Sequence, residues 1–257
     1  MIYLYRKYLL GYLAVGFFCA IICFECHFVL KTPYLLSLLV FLLLAVIDIS
    51  AFRAASAKKF TDEVLSHLFN CEVNVYLSKL DALMGNAKNK VHIANYNYFR
   101  ARGYSALGRY EEMYECTKHI TEKGEYLMRL TEYYVNKGQY DEARRYMNDL
   151  SALAHKRKKK AYTDMLVQYI ENMDYSIRIL NGDYTGAVEH YEMLLEKWKD
   201  NQLLSIASAN YALGNVLYLK GENERAIEYL SVAAEIGGDT KFAVKAKVLL
   251  QKLAQNR

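Results

Sequence analysis

Few residues of this chain are arranged for covalent chemistry. Its six histidines, His27, His67, His92, His119, His155 and His190, are scattered. There is no glycine loop to cradle a phosphate, no His-Glu-x-x-His helix and no paired-cysteine metal pattern. Cys116 and His119 lie within one helical turn, but nothing beside them suggests an activated thiol. Glu25 and His27 could make a proton or ion site in a membrane, although their place at the end of an apolar run reads more simply as an outer interface. Asp48 lies about one turn from the inner end of a second apolar run, within reach of Arg53 or water. Cys19, Cys23 and Cys26 recur at i, i+4 and i+7, where a metal or dimerisation stripe competes with plain apolar packing. Cys71 and Cys116 form no CxxC, so the five cysteines fit a reducing compartment without a disulfide framework. These residues predict a non-enzyme, with no catalytic residue, no metal and no cofactor.

Charge offers a binding chemistry instead. His155 is followed by Lys156, Arg157, Lys158, Lys159 and Lys160, and the positive excess of residues 54–257 comes from this run. Near a bilayer each basic residue is worth about 1 kcal/mol toward anionic headgroups. Attraction to nucleic acid is a weaker reading, and a solvated helix end is the plain one.

The elements that must carry these residues fall into two unlike parts. The 257-residue chain is 53% hydrophobic with one proline, and its mean hydropathy of −0.08 hides the division. Residues 3–24 and 34–52 are apolar runs, each close to the roughly 20 residues that cross the hydrocarbon core. The polar link between them, which contains Lys31 and Pro33, makes an antiparallel transmembrane hairpin over residues 1–53. A cleaved leader is the rival for the first run, but Cys23-Phe24-Glu25 is a poor cleavage site and a second span follows directly. Arg6 and Lys7 precede the first span, and Arg53, Lys58 and Lys59 follow the second. Positive charge favours the cytoplasmic side, so both termini should be cytoplasmic, with Tyr3, Tyr5, Tyr8 and Tyr12 as an aromatic belt.

Residues 54–257 read as helix pairs. Apolar residues recur with helical spacing over 57–69 and 73–84, then over 91–107 with 110–121, 125–136 with 140–154, 162–180 with 184–199, and 203–219 with 224–236. A last helix spans 241–254. A short phrase marks the corners: Gly108-x-Tyr110-x-x-Met113, Gly138-x-Tyr140-x-x-Ala143, Gly182-x-Tyr184-x-x-Ala187 and Gly221-x-Asn223-x-x-Ala226. Recurrence of one phrase between periodic stretches is the mark of a stacked helix-turn-helix array. The corner glycines are 30, 44 and 39 residues apart.

These corners resemble those of tetratricopeptide repeat (TPR) proteins, with Gly138 to Ala143 the best match. In that family the glycine and tyrosine mark the turn between helices A and B, and the alanine lets them approach. Ala101 and Gly214 resemble the family's small residue in helix A. Thr131 is weaker and Tyr175 departs from it. The family repeats about every 34 residues, so the spacing here implies lengthened helices or linkers. The resemblance implies an all-α protein with a right-handed α-solenoid and a C-terminal capping helix. It also implies a concave surface lined by the A helices, at Asn95, Tyr98, Arg102, Met128, Glu132, Asn172, Ser176, Tyr211, Asn215 and Tyr218. Tyrosine gives contact area at small entropic cost, and asparagine can pair with a peptide backbone. Tyrosines at helical spacing also pack between helices, Tyr104, Tyr134, Tyr140 and Tyr184 above all.

The function implied is a scaffold that recruits a protein or peptide partner to the cytoplasmic face of a bacterial plasma membrane. Two alternatives stand beside it: a regulatory receptor that senses a peptide in the same groove, and a small membrane component whose repeats are merely structural.

Overall fold

The computed structural model describes residues 6–29, 34–85, 87–156, 160–199 and 202–255. Tyr3, Tyr5, Lys31, Pro33, Arg157, Lys158 and Lys159 lie outside these ranges, as do the side chains of Tyr8, Tyr12, Cys23 and Cys26. All regular structure among the described residues is helical. The chain divides into two compact units, Met1–Leu65 and Ser66–Arg257.

The first unit holds α1 (Arg6–Val29), α2 (Tyr34–Phe60) and a π-helical turn over Thr61–Leu65. No glycine or proline interrupts residues 51–65, so the helix runs on past the change of composition at Arg53. Helices α1 and α2 pack against each other. Asp48 faces α1 where it carries no side chain: a Cβ on Gly16 would sit 3.7 Å from Asp48 Oδ2. Away from that seam the helices expose large apolar groups, among them Phe17, Phe18, Leu43 and Val46. One described helix, Leu38–Phe69, is long and apolar enough to cross a membrane. The described part of α1 gives a shorter apolar stretch, Leu13–Ile22.

The second unit contains α3 (Ser66–Phe69), α4 (Val73–Met84), α5 (Lys90–Leu107), α6 (Tyr110–Thr117), α7 (Lys123–Asn136), α8 (Tyr140–Lys156), α9 (Lys160–Leu180), α10 (Ala187–Trp198), α11 (Leu203–Leu219), α12 (Asn223–Ile236) and α13 (Lys241–Gln255). Partners within a pair pack together, α5 on α6, α7 on α8 and α11 on α12, and each pair packs on the next. The corner glycines Gly108, Gly138, Gly182 and Gly221 are all left-handed, with φ between 72° and 81°, a conformation that costs a glycine nothing sterically. Behind each corner a small or flexible residue is fully buried: Met113, Ala143, Ala187 and Ala226 are each 0% exposed.

Two helices are shorter than their periodicity predicts. Helix α6 stops at Thr117, because the amides of His119 and Ile120 close tight turns onto the carbonyls of Cys116 and Thr117 and bury Ile120. Helix α10 starts only at Ala187. Arg178 holds Asp183 at 2.7 Å and the Thr185 carbonyl at 2.8 Å, and Gly186 adds a second left-handed residue at φ 70°. Tyr184 therefore lies in a loop, half-buried against the core formed by α9–α13. The cause is Tyr175, the large residue at the position usually small. Its ring stacks on His190 with centroids 4.1 Å apart, and its hydroxyl comes within 3.3 Å of where a Gly186 Cβ would be. A tyrosine between α9 and α10 holds their backbones apart where alanine or glycine would let them close.

The last helices return to the first. Helix α13 packs on α12, α11 and α5, and α11 packs on α3. The α12–α13 loop touches the start of α4. There the Asp239 carboxylate accepts from the amides of Val73 at 2.7 Å and Asn74 at 2.8 Å, and the Asp239 amide donates to the Cys71 carbonyl at 3.2 Å. A carboxylate at a helix N-terminus satisfies free amides and meets the positive end of the helix dipole. Here the cap comes from the far end of the unit.

Candidate functional site

Helix α7 presents Glu125, Arg129 and Glu132 along one face. Arg129 lies between the two carboxylates, Nε 2.9 Å from Glu125 and Nη1 2.7 Å from Glu132. The other oxygen of Glu132 takes Lys241 Nζ at 2.7 Å, and the Ser105 hydroxyl donates to Glu132 at 2.7 Å. All four charged side chains are between 7% and 14% exposed. Burial opposes ionisation of Glu132, yet Lys241 and Arg129 outweigh it and hold the carboxyl at about 2. Burial likewise works against the charge on Lys241, and Glu132 and Tyr110 keep it above its ordinary value. The group is a buried, charged network that is satisfied only as a set.

Lys241 is the first residue of α13. Its Nζ lies 5.2 Å from the Tyr110 ring centroid, and its Cβ is 3.1 Å from where a Gly108 Cβ would sit. The start of α13 is thus seated between the α5–α6 corner and α7. Phe242 follows it inward, with its ring 6.1 Å from that of Tyr211.

Two cavities meet at this insertion. The first, about 360 Å3, is lined by Tyr110, Glu132, Asn172, Ser176, Tyr211 and Asn215, with Trp198, Lys241, Phe242 and Lys245. The second, about 230 Å3, has Arg102, Arg129, Trp198, Ser205 and Lys241 in its wall. They share Ser105, Trp198, Ser208, Lys241 and Phe242. Ligand pockets usually measure about 300–1,000 Å3, so the larger cavity has the size of a small-molecule site.

Half of the ten positions implied by the resemblance meet there: Glu132, Asn172, Ser176, Tyr211 and Asn215 all line the larger cavity. Arg102 lines the smaller one and lies over the Tyr98 ring at 5.9 Å. Met128 is core, its carbonyl accepting from the Tyr169 hydroxyl. Asn95 is exposed, and Tyr98 and Tyr218 are half-buried outside both cavities. Of the corner residues Tyr110 lines the larger cavity, whereas Tyr140 and Tyr184 pack against core clusters. In the basic run, Lys156 ends α8 and Lys160 begins α9. Lys241, Phe242 and Lys245 are site residues that the repeat pattern did not indicate. Lysine also opens α5, α7 and α9, so the place of Lys241 at the head of α13 gave no signal of its own.

Asn172 is held from behind. Its Oδ1 lies 2.9 Å from His190 Nε2, and burial lowers the pKa of His190, which favours the neutral ring. Ser176 donates to the Asn172 carbonyl.

Paired helices, left-handed glycine corners and buried small residues behind them define a tetratricopeptide repeat protein. The family model described as the SusR N-terminal TPR domain matches residues 73–256, and the chain belongs to that family. No curated protein and no solved structure gives a significant match.

Proposed function

We propose that this chain is a membrane-tethered sensor, whose repeat unit takes a small ligand or a short peptide end into the cavity beside α13. Family membership supports either partner recruitment or a sensing role. The observation that favours sensing is the seating of α13: it leaves a cavity of about 360 Å3 where an extended peptide would need a long open groove. Asn172, Ser176, Tyr211 and Asn215 would contact the ligand. Helix α13, tied to Glu132 at one end, would respond to its presence. In this reading the helix pairs wind as a right-handed α-solenoid.

The tether is the hairpin of α1 and α2, both spanning the bilayer, with the termini and the repeat unit on the cytoplasmic side of a bacterial plasma membrane. The apolar groups exposed on both helices support it, since soluble monomers rarely expose contiguous apolar patches of this kind. Asp48 turned toward Gly16 also supports it, because acids within membranes face neighbouring helices rather than lipid. The basic run at the α8–α9 corner suits contact with anionic headgroups.

Trp198 is the only tryptophan and lines both cavities, so its emission reports on occupancy. The test screens the full chain in detergent against mixed peptide and metabolite pools, reading Trp198 emission and melting temperature. A sensor gives at least one class that shifts both. Silence across all pools, together with specific capture of a protein by the same preparation, would replace sensing with the scaffold reading.

A further inference from the structure

The polar groups of the larger cavity are unevenly satisfied. Its one carboxylate, Glu132, is fully engaged by Ser105, Arg129 and Lys241. The side-chain oxygen of Asn172 is held by His190, and the Ser176 hydroxyl is turned to the Asn172 carbonyl. What remains open is one cation and two groups that can donate. Lys245 lines the cavity and has no ion-pair partner among the described residues. Asn215 and the Tyr211 hydroxyl, also in the wall, make no hydrogen bond among the described residues. Burial first, and then the like charge of Lys241 one helical turn before it, work against the charge on Lys245.

A cavity with its carboxylate engaged and a lysine, an amide and a phenol open can offer three donors to an anion. Its charges set the valence. Lys241 is matched by Glu132, and one cation is left over. A single carboxylate would balance it, whereas a phosphate dianion would bring an unmatched negative charge into a half-buried site. The rest of the wall is apolar: Ile179, Leu194, Trp198 and Phe242 suit a short organic body. We propose that the cavity binds a small organic monocarboxylate, with Lys245 as counterion, Asn215 and Tyr211 as hydrogen-bond donors and Trp198 against its apolar part. This rests on the sensing reading and specifies its ligand.

The test titrates the full chain in detergent with hexanoate, hexanamide, inorganic phosphate and N-acetyl-trialanine, following Trp198 emission and heat. Hexanoate should bind and hexanamide should not. N-acetyl-trialanine carries the same group on a peptide: binding it as tightly as hexanoate assigns the carboxylate to a peptide end, and weaker binding assigns it to a free acid. Lys245→Gln should lower hexanoate affinity about tenfold or more, the usual effect of losing a hydrogen bond to a charged group, and Asn215→Ala should lower it less. Both side chains line the cavity, and an unchanged melting temperature without ligand checks that the fold is intact. Equal binding of acid and amide, phosphate bound more tightly than hexanoate, silence of both carboxylates, or full affinity in Lys245→Gln would each overturn the proposal. A neutral compound that shifts Trp198 while carboxylates stay silent would leave the sensing reading standing; silence of every pool as well would remove both.

Discussion

Glu132 concentrates the energetic risk of this chain in one side chain. Two cations and a hydroxyl converge on it out of water, so losing its charge strands Lys241 and leaves Arg129 with Glu125 alone. Glu132→Gln should destabilise the repeat unit by about 3–5 kcal/mol, measured by urea unfolding. Acid should do the same to the native protein. The carboxyl titrates at about 2 when folded against an ordinary 4.5, so its stabilisation is complete above 4.5 and is lost as pH falls from there through about 2. An acid titration followed by circular dichroism should show unfolding in that window, moved to higher pH in Lys241→Gln. Gly214 is a different kind of constraint. A Cβ there would stand 2.7 Å from Leu230 Cγ and 3.1 Å from its backbone nitrogen, so α11 and α12 touch only because the residue has no side chain. Gly214→Ala should cost about 1–3 kcal/mol through overpacking, again read by urea unfolding.

Between elements, the telling joint is Asp239 on α4. Removing the carboxylate with Asp239→Ala leaves the amides of Val73 and Asn74 uncapped and should cost about 1–2 kcal/mol. Because the cap joins distant parts of the unit, hydrogen exchange should quicken in both α4 and α13, whereas loss of an ordinary local cap would quicken only one. This joint also shows how far the sequence could be read. Helix pairs, corners and their buried small residues were legible, because apolar periodicity and left-handed glycines act locally. Tyr175 was legible as a departure, though its consequence, the late start of α10, depends on His190 lying opposite. Glu132, Asn172, Ser176, Tyr211 and Asn215 could be placed on inner faces by repeat register. Lys241 and Lys245 could not, since they belong to a helix outside the register, and Lys241 meets its partner, Glu132, 109 residues away in sequence. Asn95 and Tyr98 fall outside the larger cavity because α5 reaches it only at Ser105, and Tyr218 because it lies beyond Asn215 toward the end of α11.

At the scale of the whole chain the two units call for different solvents. The repeat unit has its own continuous cores, and residues 66–257 alone should be soluble and unfold cooperatively. The first unit exposes its apolar groups. The full chain should therefore sediment with membranes and stay there through alkaline carbonate, whereas the truncated form should remain in the supernatant. Recovery of the full chain as a soluble species would remove the tether from the proposed function and leave the cavity untouched.

The return of the α12–α13 loop to Cys71 bears on how such a chain can evolve. Open repeat arrays lengthen by duplication, because each unit meets only its neighbours. Here the tail has to arrive at one carbonyl and two amides near the head, so an inserted or deleted pair would carry it past its mark. Copy number should be frozen in descendants of this sequence, and variation should gather in the corners and on the outer faces instead.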